Sequence, residues 1–210
     1  MDTQWIVPFL PRDTIVSHAE SLISKHHPSR ELPIPIEDII DIKLRIDIVP
    51  VPGLTKVLCE DEDDGIESFV NSSLTQIFVD ENAYRRQTNR YRFSIAHELA
   101  HIELHQSIFA HLRVESIEDW KTTVKSIPTR EYARLEWQAY CFAGHVLVPT
   151  MELSENLRPC FQRVMEEGIN PRDESVRPFI EKHLAGVFAV SSEVVHRRIE
   201  DEGLWRQAPT

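Results

Sequence analysis

Apolar residues recur at helical spacing near the start of the chain. Ile15, Val16, Ala19, Leu22 and Ile23 form one stripe, Asp13 is placed to cap it, and His26-His27-Pro28 ends it. Pro35 to Ile40 reads as a short second helix with a proline at its start. The period then changes to two. Leu44 to Val51 alternates and predicts a strand, and Leu54 to Cys59, after Pro52-Gly53, predicts a second. Ile66 to Val70 and Leu74 to Val79 flank Asn71-Ser72-Ser73, the pattern of a hairpin. From about Asn89 the spacing is helical again. Tyr91 to His105 and Arg130 to Val148 are the two strongest helices, the latter stopped by Pro149. Val114 to Pro128, between them, is polar and mixed and reads as a loop or short helices. Further helical segments fall at Met151 to Glu167, Ser175 to Leu184 and Ser191 to Glu202.

This order predicts an α+β fold, mainly helical, with a small antiparallel three-stranded sheet. Residues 1–210 are expected to form one domain: a sheet-containing part over 1–85, a helical core over 86–150 and a C-terminal helical segment over 151–210. A chain of 210 residues buries a core without staples. Its 41% apolar and 27% charged residues exclude wholesale disorder.

Charge and glycine usage narrow the chemistry. Lys plus Arg is 23 against 34 Asp plus Glu, a net charge of −11, which argues against direct nucleic-acid binding because that rests on neutralising phosphates. There are 6 glycines and no Gly-rich phosphate loop. The three cysteines, Cys59, Cys141 and Cys160, are widely spaced and read as reduced thiols of a cytoplasmic protein. Met1 to Arg12 lacks the basic start of a signal peptide, and no stretch approaches the roughly 20 apolar residues of a membrane span. The acidic run Glu60 to Gly65 sets Glu60, Glu62 and Asp64 at the spacing of a calcium loop. Asn71, however, stands where a bidentate Glu is needed, so a solvated turn is the better reading. Leu184 to Trp205 resembles a helix-turn-helix in outline. With Glu200, Asp201 and Glu202 following Arg197-Arg198, it reads instead as a capped packing helix.

The informative residues are His97-Glu98-Leu99-Ala100-His101. Histidines at i and i+4 sit one above the other on a helix face, where two imidazoles reach one metal ion. Glu98 then lies near enough to act on a metal-associated water, the arrangement of the HExxH zinc hydrolases. A catalytic zinc takes three protein ligands. His105 is eight residues from His97, about 12 Å along the axis, and is read as a packing or supporting residue. Glu136 sits in the apolar stripe of the second strong helix, among Tyr132, Ala139, Tyr140, Ala143 and Leu147, while Glu131, Arg134, Gln138 and His145 form its polar side. A carboxylate on a buried face needs compensation, by a metal ion or by a salt bridge to an arginine of Tyr84 to Arg92. His111 and His145 are the rival third ligands. Cys141 and Cys160 lack a paired histidine in a cysteine-protease pattern and read as buried thiols.

Arg90 to His101, ending in His105, resembles the RxRFTxAHELGHxxxH core of the ImmA/IrrE family of metallopeptidases. Glu136 through Val148-Pro149 resembles that family's ExEANxFAxxLLMP helix. Ala100, Gln138 and Tyr140 depart from the family pattern. The resemblance implies a zincin-like metallopeptidase fold and one zinc ion per chain held by His97, His101 and Glu136, with Glu98 as catalytic base. It also implies a protein substrate of the helix-turn-helix transcriptional repressor class. A non-hydrolytic metal-binding module acting on a partner protein or DNA, and a zinc hydrolase of non-peptide amides, are the alternatives.

Overall fold

The computed structural model describes residues 6–58 and 67–209. The acidic run at 60–65 and Cys59 lie outside the described residues. The chain opens with α1 (Arg12–His26), which starts after Pro11, with Asp13 in its first turn rather than at its cap. A short α2 (Ile36–Asp38) runs into a π-type turn over Ile39–Lys43. Three strands follow, β1 (Asp47–Val51), β2 (Ser68–Val70) and β3 (Gln76–Asp80), with α3 (Leu54–Leu58) between the first two.

Where a second strand was expected, Leu54 to Leu58 is helical. Gly53 turns the chain at φ 70°, and Asp80 accepts a hydrogen bond from Thr55 N at the helix start, so a partner 25 residues away settles the local choice. The sheet is mixed rather than antiparallel. β3 lies in the middle, paired antiparallel to β2 through the hairpin and parallel to β1, with Ile48 opposite Ile77 and Pro50 opposite Val79. The crossover from β1 returns at β2 and lets β3 slot between them, which period-two patterning cannot reveal.

Beyond the sheet come α4 (Glu81–Arg86), capped by Asp80 through Asn82 N and Ala83 N, and the long α5 (Thr88–Leu104). α6 (Gln106–Phe109) is followed by α7 (Ile117–Ser126), a continuous helix capped by Ser116 where a loop or short helices were expected. Then come α8 (Thr129–Leu147), α9 (Thr150–Glu166), α10 (Arg177–Phe188) and α11 (Ser192–Asp201), the last capped by Ser191. Among the described residues no helix is long and apolar enough to cross a membrane.

One apolar cluster runs from Ile15 in α1 to Ala208 near the C-terminus, through Ile77, Ile95, Leu99, Ala139, Phe142 and Phe188. A smaller one, Leu54, Phe69 and Val114 with Trp120 against it, seats α7 beside the sheet. α8 packs on α5 with one face and on α1 with another. Its C-terminal end is tied down by Arg198 of α11, which donates to the Val148 carbonyl (3.1 Å), to Thr150 Oγ1 (2.9 Å) and to Glu202 (2.6 Å). Glu202 also takes Arg12 of α1 at 3.0 Å. Gly144 gives Arg198 its clearance, since a Cβ there would sit 3.2 Å from Arg198 Cδ.

Arg198 is 3% exposed, and its removal takes the donor from the Val148 carbonyl and Thr150 Oγ1 and leaves Glu202 with Arg12 as its guanidinium partner. Arg198→Met keeps the apolar stem and deletes the guanidinium. Urea unfolding is expected to show a loss of about 2 kcal/mol, with native helical content retained. A variant as stable as the wild type would remove Arg198 as the anchor of α8.

Candidate metal centre

α5 presents His97 and His101 one turn apart on the side facing α8, and α8 presents Glu136 opposite them. His97 Nε2 and His101 Nε2 are 3.3 Å apart. Glu136 places one carboxylate oxygen 3.1 Å from His97 Nε2 and the other 3.8 Å from His101 Nε2. Two donors about 2.05 Å from one tetrahedral ion are separated by about 3.3 Å, so these three side chains fit a divalent ion without moving far. All three donor atoms lie within 4.8 Å of one another, and no other such group occurs among the described residues. The set of two imidazoles and one carboxylate suits zinc and several other divalent metals.

Exposure is graded across the group: the side chain of His101 is 6% exposed, that of His97 12% and that of Glu136 28%. The open side gives onto a cavity of about 450 Å³. Its polar lining includes Glu67, Ser68, Glu98 and Glu136, and its apolar lining Phe109, Leu112 and Val124. Tyr140, one turn beyond Glu136, stands edge-on to His97 with ring centroids 5.1 Å apart. Burial disfavours the charged form of His97, yet the Glu136 carboxylate wins and raises its pKa. His101 is held well below its usual value by burial and by the neighbouring imidazoles.

Glu98 is buried beside this group and lines the same cavity. Its Oε1 accepts from Ser68 Oγ at 2.8 Å, and its carboxylate also accepts from the Val70 backbone N–H, so β2 fixes it. Burial pushes its pKa up to about 7, against the lowering effects of His97 and Ser68. A carboxyl poised there accepts and releases a proton near neutrality.

Arginines and rival histidines that the sequence offered have other partners in the fold. Arg90 pairs with Glu67, and Arg92 donates to the carbonyls of Ile34 and Ala189. His111 is exposed and hydrogen-bonds the Ser107 carbonyl. His145 and Gln138, expected on the polar side of α8, are buried, because α1 and residues 6–11 cover that face. His145 sits 3.3 Å from Glu202 and 2.6 Å from the Cys141 carbonyl. Gln138 donates to the Pro8 carbonyl at 2.9 Å, while Val7 exchanges hydrogen bonds with Glu131 and Arg134. Cys141 lies 3.7 Å from His145, whose Nδ1 is engaged with the Cys141 carbonyl, and burial pushes its thiol pKa up. Ser68 escaped the sequence reading, since nothing local marks a strand serine as the partner of a residue 30 positions away.

Two imidazoles and a carboxylate converging on one point, with a buried carboxyl beside them and a cavity in front, make a metallohydrolase-type arrangement. Residues 67–200 match the family model of the M78 peptidases, described as the IrrE N-terminal-like domain. That span is well over half of the chain, which therefore belongs to the ImmA/IrrE family. Membership supports a metallopeptidase-type function and a divalent metal. No curated protein matches the chain.

Glu98 generates a stability signature. With its folded pKa raised to about 7 from 4.5, the folded state holds a proton that the unfolded chain releases. Metal-free protein should therefore be most favoured by this group below pH 4.5 and should lose that contribution as pH rises through about 7. Glu98→Gln should flatten that stretch of the curve, read by urea unfolding across pH in the presence of chelator. A variant curve parallel to the wild type would show that Glu98 does not titrate there.

Proposed function

We propose that the protein is a zinc-dependent endopeptidase of the cytoplasm that cleaves one specific regulatory protein, of the helix-turn-helix transcriptional repressor class. The observation that carries the catalytic part is the meeting of His97, His101 and Glu136 within 4.8 Å, with Glu98 fixed beside them. The substrate class rests on the family resemblance. The cavity of about 450 Å³ has both acidic lining residues, Glu67, Glu98 and Glu136, and apolar ones such as Phe109 and Leu112, a lining that offers contacts to a peptide segment.

His97, His101 and Glu136 would hold one zinc ion, which when bound supplies Lewis-acid activation of water and of the scissile carbonyl. Glu98 accepts the proton of the attacking water as its oxygen bonds to the carbonyl carbon, then passes that proton to the amine nitrogen as the C–N bond breaks. Ser68 Oγ and the Val70 N–H hold the carboxyl of Glu98 in one orientation through both transfers. β2 is an edge strand of the sheet, and its Ser68 and Val70, with Glu67 just before it, line the cavity, so a substrate backbone has an edge to run along.

Dialysed wild-type protein is expected to retain one divalent ion per chain by metal analysis, and both His101→Ala and Glu136→Ala to lose it. Full retention in Glu136→Ala would remove it from the ligand set. Glu98→Gln should keep the ion while cleavage of the target repressor falls at least about 10²-fold. Casein should be cut poorly by the wild type. A biological output that survives Glu98→Gln with metal retained would replace the peptidase by a metal-binding scaffold.

A further inference from the structure

Behind His101 runs a buried line of polar side chains that the proposed chemistry does not use. His101 Nδ1 lies 3.0 Å from His105 Nδ1, His105 Nε2 lies 2.8 Å from Gln138 Oε1, and Gln138 Nε2 lies 2.9 Å from the carbonyl oxygen of Pro8. His101, His105 and Gln138 are all buried, Gln138 completely. Polar groups so placed are costly unless every one is satisfied.

The direction of each bond follows from the far end. A backbone carbonyl only accepts, so the group facing Pro8 is the amide NH₂ of Gln138, which fixes an orientation that an amide alone leaves ambiguous. Its Oε1 then faces His105 and must accept, so His105 Nε2 carries a hydrogen. One proton is needed between the two Nδ1 atoms. Were it on His105, that ring would be a buried imidazolium facing a neutral amide, with no carboxylate hydrogen-bonded to it. The proton therefore sits on His101 Nδ1, and the bare lone pair of His101 is on Nε2, the atom that faces His97 and Glu136.

We infer that His105 and Gln138 are positioning residues: a relay from the Pro8 carbonyl through Gln138 and His105 locks His101 in the Nδ1–H tautomer and aims its Nε2 at the metal position. The role of that aim rests on the metal-site reading given above; the tautomers do not. Hydrogen bonds behind metal-bound histidines set ring orientation and tautomer and affect metal affinity by 10- to 100-fold. The relay also explains why a neutral amide occupies the middle of α8. Gln138 supplies the acceptor that His105 needs and the donor that Pro8 needs, and it adds no charge. Pro8 lies outside the matched stretch 67–200, so the segment ahead of α1 takes part in ordering the centre.

Two measurements on the full chain test this. Long-range ¹H–¹⁵N spectra of histidine-labelled, metal-free protein should show His101 protonated on Nδ1 and His105 on Nε2, with His105→Phe providing the assignment. The opposite tautomer on either ring overturns the relay, whatever the metal does. Zinc affinity by chelator competition should fall 10- to 100-fold in Gln138→Leu and return toward the wild type in Gln138→Glu, which restores the acceptor. Folding of each variant is checked by circular dichroism. Unchanged affinity in a folded Gln138→Leu, or no recovery in Gln138→Glu, overturns the positioning role. Wild-type protein that fails to bind zinc would overturn the peptidase reading instead, leaving the tautomers to decide the relay.

Discussion

The close packing of α5 against α8 is what the centre depends on. Ala96 and Ala100 on α5, and Ala139 and Ala143 on α8, are fully buried. At helical spacing Ala100 lies three residues from His97, and Ala139 and Ala143 three and seven from Glu136, so small side chains flank the ligand positions where the two backbones approach. A centre built across two helices is only as well defined as their separation. The rest of the molecule acts on that separation from outside. β2 braces α5 through Ser68, α1 and residues 6–11 cover the back of α8, and Arg198 ties down its C-terminal end.

Electrostatics works against stability at the same place. A buried carboxyl raised to about 7, a histidine whose pKa is raised by Glu136 and another held low by burial are gathered within one cavity wall. Burial disfavours the charged forms of Glu98 and His101, and of the three only His97 has that cost outweighed by a partner, Glu136. Such clustering of perturbed groups in a cleft is the expected mark of a site whose arrangement serves chemistry. The network at Glu202 is the contrast. Its carboxylate is held below its usual range, because the effects of Arg198 and Arg12 outweigh the cost of burial, and it faces packing elements rather than the cavity.

How far the sequence could be read depended on the distance over which each choice was decided. The helical stripes of α5 and α8, the spacing of His97 and His101 and the lone Glu136 among apolar neighbours are local patterns, and the fold places those residues together. The helix at Leu54 to Leu58 was hidden because the carboxylate at its start belongs to Asp80. The mixed sheet was hidden because the pairing of β1 with β3 is a matter of topology. Gln138 and His145 were read as solvated because their partners, Pro8 and Glu202, come from opposite ends of the chain. Polarity marks a residue as needing a partner and leaves open whether that partner is water.

The staple between Arg12 and Glu202 has a consequence for how the protein is made. α1 leaves the ribosome before α8, and the surface it covers on α8 and the carboxylate that holds its first residue are synthesised more than a hundred residues later. Contacts of such sequence separation form late, because the intervening chain must first be ordered. During synthesis the apolar face of Ile15, Ala19, Leu22 and Ile23 therefore waits without its eventual cover. α1 therefore docks only once α8 has been made, and the nascent chain carries an exposed apolar face over that interval.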